Sequence, residues 1–321
     1  MYCKKKNKSL LENIHPSWYD DINKFPYDDF KCKKNCDKYD IIIKDGYAKM
    51  KNTTIVFCGL CINIENKVTD LKNRFEYLGS FFKDYRVIIF ENNSIDNTRN
   101  LLKNLTMINN KFILLECEDA RNCIYATSAA KDHGVFSNTR MYKMVQYRNR
   151  LLSYIRNYYA YFDTICMVDL DINGPISIDG VAHSFGNYDR WDSITAYGIS
   201  GVTLTVGQPY YYDIIAYKDD YYDVNTNRLD LIPIYLKNNL KVVGDDLYKV
   251  RSAFGGLELI KSYVINDNNN INYTPIDDNY ICEHIIFHEN MIRNKYDRIY
   301  INPNMVILVG LQGNEKKLYV Y

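Results

Sequence analysis

Thr164-Ile165-Cys166-Met167-Val168-Asp169-Leu170-Asp171 reads as a short apolar strand that runs out into two carboxylates spaced i, i+2. Upstream of it, Tyr142–Tyr159 has the spacing of a long helix and Phe112–Cys117 reads as a strand. Ile95–Leu105 is a helix capped by Ser94 or Asn93, and Arg86–Glu91 is a strand. Val68–Phe82 is a helix with Leu71, Phe75 and Leu78 on one face, and Thr54–Cys61 is the first strand. This β-α-β-α-β-α-β order predicts an α/β fold, a mostly parallel sheet covered by helices on both faces. In such sheets ligands bind beyond the carboxyl ends of the strands, where Glu91, Glu116, Asp169 and Asp171 would lie.

Downstream of Asp171 the alternation is lost, and Tyr, Gly and Pro crowd Val181–Tyr222, which predicts an irregular half. Asn266–Asn272 is a polar loop expected to be mobile. Asp277 or Asp278 would cap a helix from Asn279 to Asn294, followed by a strand Arg298–Ile301 and a turn at Pro303. Residues 1–50 are rich in Lys and Asp with few periodic apolar positions, and read as an arm or small appendage. Residues 51–321 read as one domain, with no internal repeat.

A chain of 321 residues is long enough to bury a core without staples. Its 40 Lys and Arg against 39 Asp and Glu leave no global basic field, which disfavours a nucleic-acid partner. The 31 tyrosines suit flat polar ligands, but an Asn/Ile/Lys/Tyr-biased coding sequence accounts for them equally. Nine scattered cysteines, an odd number, predict reduced thiols in a cytoplasmic setting. Cys32/Cys36 and Cys58/Cys61 are poor zinc candidates without further ligands. The basic N-terminus lacks a following apolar region, and no stretch approaches the roughly 18–20 apolar residues of a membrane span.

Five features could carry chemistry. Asp169 and Asp171, at a strand end before the Asn173-Gly174-Pro175 turn, could converge on Mg²⁺ or Mn²⁺, which takes one or two carboxylates plus phosphate oxygens. Glu91-Asn92-Asn93-Ser94-Ile95-Asp96-Asn97-Thr98, between a strand and a helix N-terminus, could read a base or ribose, or could simply cap the helix. Arg148, in Tyr147-Arg148-Asn149-Arg150, could reach a diphosphate, as could Arg121-Asn122; a solvated basic face is the alternative. Gly255-Gly256 permits close backbone approach or a tight turn. Glu283, at the start of the late helix, would be held ionised as a general base must be, with His284 and His288 one turn apart on one face. No Gly-rich phosphate loop of the P-loop or dinucleotide type is present.

In order and spacing these features resemble glycosyltransferases of the GT-A fold. Asp169-Leu170-Asp171 is similar to that family's D-x-D motif, Glu91 with its following loop to its nucleotide-recognition segment, and Tyr147-Arg148-Asn149 to its phosphate-side helix. Tyr211-Tyr212-Asp213, Ser252-Ala253-Phe254-Gly255-Gly256-Leu257, Cys282-Glu283-His284 and Tyr300-Ile301-Asn302-Pro303 resemble segments of the fungal capsule mannosyltransferase group and of glycosyltransferases encoded by large DNA viruses. The resemblance covers roughly residues 53–305 and implies a nucleotide-binding half at 53–175 and an acceptor half at 176–310.

It also implies a nucleoside-diphosphate sugar as donor, UDP-linked by analogy, and a glycan or glycoprotein acceptor. Asp169, Asp171 and His288 (or His284) would hold Mn²⁺ or Mg²⁺; Glu91, Asn93, Asp96, Arg148, Asp169, Gly255 and Gly256 would contact the donor. Glu283 and Asp213 would be catalytic. A viral origin would place the protein in the host cytoplasm or the virion. The fungal enzymes carry a membrane anchor and a different acidic motif, so their donor and linkage do not carry over. Two rivals share the fold: a nucleotidyltransferase, which needs a Gly-rich phosphate loop that Cys58-Gly59-Leu60-Cys61 matches poorly, and an inactive glycan-binding or structural protein.

Overall fold

A computed structural model of the chain describes residues 20–117, 138–200, 210–220, 241–275 and 282–310. The first strands are β1 (Thr54–Cys61), β2 (Asp84–Glu91), β3 (Phe112–Glu116) and β4 (Thr164–Val168), and they pair in parallel in the order β3-β2-β1-β4. Alternation along them sends side chains to both faces. Ile55, Phe57, Val87 and Ile89 pack under helices α2 (Val68–Gly79) and α3 (Thr98–Ile108), through Leu71, Phe75, Leu78, Leu102 and Leu105. Val56, Cys58, Ile88 and Phe90 face α4 (Asn138–Tyr158), through Val145, Leu151, Leu152 and Ile155. These strands are buried on both faces, so they read as continuous apolar runs.

The half expected to be irregular contains regular structure. Helix α5 (Ile178–Gly186) starts on a cap in which Ser177 accepts from the Gly180 amide, and strand β5 (Ser193–Ser200) is buried along its whole length. Within the sheet, Ser193 of β5 donates to Glu258 at 2.5 Å and Thr195 to the Tyr300 carbonyl at 3.4 Å. Strands β6 (Tyr210–Tyr212), β7 (Tyr248–Lys249), β8 (Leu257–Lys261) and β9 (Ile299–Gly310) complete the sheet, whose order is β3-β2-β1-β4-β8-β5-β9-β7, with β6 on β5. β8 is antiparallel to both β4 and β5, and β5 and β9 are parallel. β1 to β5 and β9 thus run one way, and β6, β7 and β8 the other.

β9 continues through Pro303 where a turn was expected. Ala196 pairs with Asn302 and Tyr197 with Val306, so the proline sits in a bulge, where its missing N–H does no harm. Short helix α6 (Ser262–Asn266) follows β8, and α7 (Glu283–Arg293) precedes β9. The expected start of α7 at Asn279 and its caps Asp277 and Asp278 lie outside the described residues, as does Arg121-Asn122; the helix is described from N-cap Cys282. The loop after α6, expected to be mobile, is pinned. Arg156 donates to the Ile271 carbonyl at 2.6 Å, and Asn290 to the Asn272 carbonyl at 2.8 Å.

Residues 36–50, expected within an arm or appendage, form helix α1 (Cys36–Met50), which packs along α5. Gly46 allows this approach, since a Cβ there would lie 1.8 Å from the Ala182 carbonyl oxygen. Tyr47 donates to Asp179 at 2.7 Å across the same contact. Cys32, Cys36, Cys58, Cys61, Cys166 and Cys282 are free thiols, but Cys117 is disulfide-bonded, contrary to the expectation that all thiols are reduced. Among the described residues no helix is long and apolar enough to cross a membrane.

Candidate active site

The carboxyl end of β4 opens into a cleft lined by residues from seven places in the chain. They include Ile62 and Ile64 after β1, Asn92 after β2, Tyr147 and Arg148 of α4, Asp169 and Asp171, Tyr212 and Asp213, Phe254, and Cys282, Glu283 and His284 at the start of α7. The topology converges them, because β1, β2 and β4 end at this edge and the antiparallel β8 begins there.

Asp169 follows β4, and its amide donates to the Gly256 carbonyl at 3.0 Å, which fixes where the strand stops. Its carboxylate accepts from the Tyr212 hydroxyl at 2.9 Å. Burial, and then the charges of Asp171 and Asp213, hold its pKa well above the ordinary carboxylate range. Asp171 is raised as well, by burial, against the pull of Lys67. Lys67 donates to the Asp171 carbonyl at 2.9 Å and Arg74 to the carbonyls of Ile172 and Gly174 at 2.8 and 3.0 Å, so helix α2 and its approach clamp the loop behind the carboxylates. Buried carboxylates with raised pKa, one of them raised further by its neighbour, are a donor set that a hard divalent cation would relieve.

Opposite them, Arg148 is 3% exposed and Glu283 5%. The guanidinium Nε donates to Glu283 Oε1 at 2.9 Å and lies over the rings of Phe254 and Tyr273. Burial works against the Arg148 charge, but Glu283, with Tyr273 and Asp169, raises its pKa overall. Arg148 is therefore engaged first by Glu283. Its ring neighbour Phe254 stacks on His284 with centroids 3.8 Å apart.

Other expected site residues lie outside the cleft lining. Glu91 is fully buried; its carboxylate accepts from the Ser94 amide and, at 2.7 Å, from Arg99 Nε, while Arg99 Nη2 donates to Asn93 Oδ1 at 3.0 Å. Asp96 accepts from the amides of Thr98 and Glu65, and Asn63 and Ser94 tie the same two loops together. Helix α3 accordingly starts at Thr98, three residues later than expected. The position of this loop that does face the cleft is Asn92, 6% exposed, with its Oδ1 buried and without a hydrogen-bond partner among the described residues. Strand alternation is the sequence signal that could have found it, since Asn92 follows Glu91 and turns the other way at the strand end.

His288 is fully buried. Its Nδ1 lies 3.0 Å from Ser252 Oγ and its Nε2 2.8 Å from Glu258 Oε1, so both nitrogens are engaged away from Asp169 and Asp171. His284, on the same face one turn earlier, lines the cleft instead. Gly255 and Gly256 both have positive φ, at 65° and 85°; a Cβ on Gly255 would lie 2.1 Å from the Ala196 carbonyl oxygen. They shape the entry to β8. Asp213 lines the cleft and accepts from the Ile215 amide at 3.3 Å. Among the described residues no group of three or more His, Cys, Asp and Glu side chains converges in metal-ligating geometry, so a cation here would rest on the aspartates and on ligand oxygens.

No family model matches the sequence, and no curated protein matches it. Among solved structures the chain is similar to S. aureus TarS, 12% identical over 81% of this chain and 60% of that one, with a TM-score of 0.43. TarS in complex with UDP gives 14%, 81%, 60% and 0.43. A mannosyltransferase from Pyrobaculum calidifontis in complex with GDP-Man and Mn²⁺ gives 11%, 88%, 68% and 0.46. The chain thus spans about 60% of the TarS chain it is matched to. Nothing of the neighbours' chemistry transfers at such values.

Proposed function

We propose that this chain is a metal-dependent glycosyltransferase, moving a sugar from a nucleoside-diphosphate sugar to a hydroxyl of a glycan or glycoprotein. The observation that carries the reading is the cleft itself. Asp169 and Asp171, both raised by burial and Asp169 further by Asp171 and Asp213, line one cleft with the ion pair of Arg148 and Glu283, at the edge of the sheet where α/β folds bind nucleotides. The donor set of Asp169 and Asp171 suits Mn²⁺ or Mg²⁺, which when bound would take up the negative charge of the leaving diphosphate.

The chain's own groups do the rest. Asn92 offers an unpartnered amide oxygen to a nucleobase N–H, and Ile62 and Ile64 add apolar surface to the same cleft. Glu283 accepts the proton of the acceptor hydroxyl as its oxygen bonds to the anomeric carbon and the bond to the diphosphate breaks, and in-line attack of this kind inverts the anomeric centre. Arg148 fixes that carboxylate in place through its bond to Oε1. Tyr212 orients Asp169, and Asp213 adds to the negative field at the same end of the cleft.

Calorimetric titration of UDP and GDP, each with and without Mn²⁺, tests the reading at the binding step. One nucleoside diphosphate should bind at least tenfold more tightly with Mn²⁺, and Asp169→Asn with Asp171→Asn should remove that gain while the circular dichroism spectrum is kept. Equal binding with and without the cation would contradict it.

A further inference from the structure

His284 has the least accounted-for side chain in the cleft. It is 2% exposed, lines the cleft, and neither ring nitrogen has a hydrogen-bond partner among the described residues. Buried imidazoles are ordinarily satisfied, so the site lacks something that a ligand would supply. Two carboxylates stand just beyond bonding range: Glu258 Oε2 is 3.8 Å from Nδ1 and Glu283 Oε1 is 3.8 Å from Nε2.

The two sides differ. Glu258 is fully buried, and its Oε2 is itself without a partner, whereas Oε1 is taken by Ser193 and His288. Glu283 already receives the Arg148 guanidinium. An N–H on Nδ1 therefore serves the carboxylate in greater need, and leaves the Nε2 lone pair on the side of Glu283, in a ring that lines the cleft. Burial and the neighbouring Arg148 push the His284 pKa down to about 4, which keeps the ring neutral; Glu258 and Glu283 oppose this and are outweighed. Burial opposes the Glu258 charge, but His288 and His284 hold its pKa below the ordinary range.

We propose that His284 Nε2 and the Glu283 carboxylate form a two-acceptor site for a vicinal diol, so that the acceptor is a sugar ring engaged through neighbouring hydroxyls. A carboxylate has about four lone-pair positions, so the contacts from Arg148 and the Cys282 thiol do not exhaust its capacity to accept a hydroxyl. The adjacent hydroxyl donates to Nε2, a short step away, and stacking on Phe254 fixes the imidazole plane. A single alcohol satisfies one acceptor and leaves the other bare. The inference rests on the transferase reading for its word acceptor, while the diol site itself stands on the geometry.

Nitrogen-15 NMR of the full chain tests it. The sequence has 5 histidines, and His284→Gln identifies the His284 signals by their loss. The wild-type ring should be neutral at pH 7 with the proton on Nδ1, and cis-1,2-cyclohexanediol should shift the Nε2 resonance at a concentration roughly fivefold lower than cyclohexanol requires, the increment of one added hydrogen bond. A cationic ring, a proton on Nε2, or equal response to the two alcohols would overturn the proposal. The wild-type tautomer and titrations stand even if the variant does not fold, because the signal that responds to the diol but not to pH between 6 and 8 is then the one to assign. A diol response in a protein that binds no nucleoside diphosphate would retain the site and remove the transferase reading.

Discussion

Replacing Arg148 by Met should cost this protein more stability than any single exposed charge could. The side chain is 3% exposed and its partner Glu283 5%, with 2.9 Å between Nε and Oε1. Removing the cation strands a buried carboxylate, a change that costs about 3–5 kcal/mol. Lost contact with the rings of Phe254 and Tyr273 adds roughly 0.5–1 kcal/mol. In a chain of this size the midpoint of thermal unfolding should fall by about 5–9 °C. The double variant R148M/E283M replaces the pair with apolar side chains of similar volume, and should recover at least half of that loss. Urea unfolding of wild type, R148M, E283M and the double variant gives the coupling from the four midpoints. An R148M protein within about 1 kcal/mol of wild type, or losses that simply add, would show that the pair is not the buried, mutually dependent unit described here.

Gly46→Ala separates a docked α1 from an appendage by its sign. A free helix would gain up to about 1 kcal/mol from alanine, whereas a Cβ 1.8 Å from the Ala182 carbonyl oxygen should cost roughly 1–3 kcal/mol, readable as a lowered urea midpoint. Stability should also fall in acid through buried neutral imidazoles. His183, 4% exposed and stacked on Tyr39, has its pKa lowered from 6.5 to about 4, chiefly by burial. A depressed histidine is fully stabilising above 6.5 and loses that contribution as pH falls from 6.5 to 4, by an amount on the order of 3 kcal/mol. His284 acts in the same window, so His183→Gln should flatten the slope of stability against pH between 6.5 and 4 without abolishing it.

The parallel half of the sheet was legible because its strands are buried on both faces and therefore apolar without interruption, and Thr54–Cys61 is found with the bounds the sequence indicates. β5 was not, because Ser193, Thr195 and Tyr197 look like loop residues until Glu258 and the rest of the sheet are in place to satisfy and cover them. β9 was cut short at Pro303 because a bulge can be recognised only against its neighbour. α1 escaped notice since its docking face centres on a glycine, which carries no hydrophobic signal. Within the cleft, the acids after β4 and the Arg148 and Glu283 positions were legible as residue types at strand and helix ends. Their pairing was not, since 135 residues separate the two. Glu91 and His288 drew attention by chemistry alone, but local partners, Arg99 for one and Glu258 for the other, claim them.

The most direct test follows nucleoside diphosphate release from a panel of UDP-, GDP- and TDP-sugars, with Mn²⁺ and with EDTA. The account predicts release from at least one donor, abolished by EDTA, and lowered at least a hundredfold in Asp169→Asn and Asp171→Asn proteins that keep the wild-type unfolding midpoint. Undiminished release in EDTA, pyrophosphate as the product, or a wild-type protein that binds a sugar nucleotide and Mn²⁺ yet turns over none of the panel would contradict it.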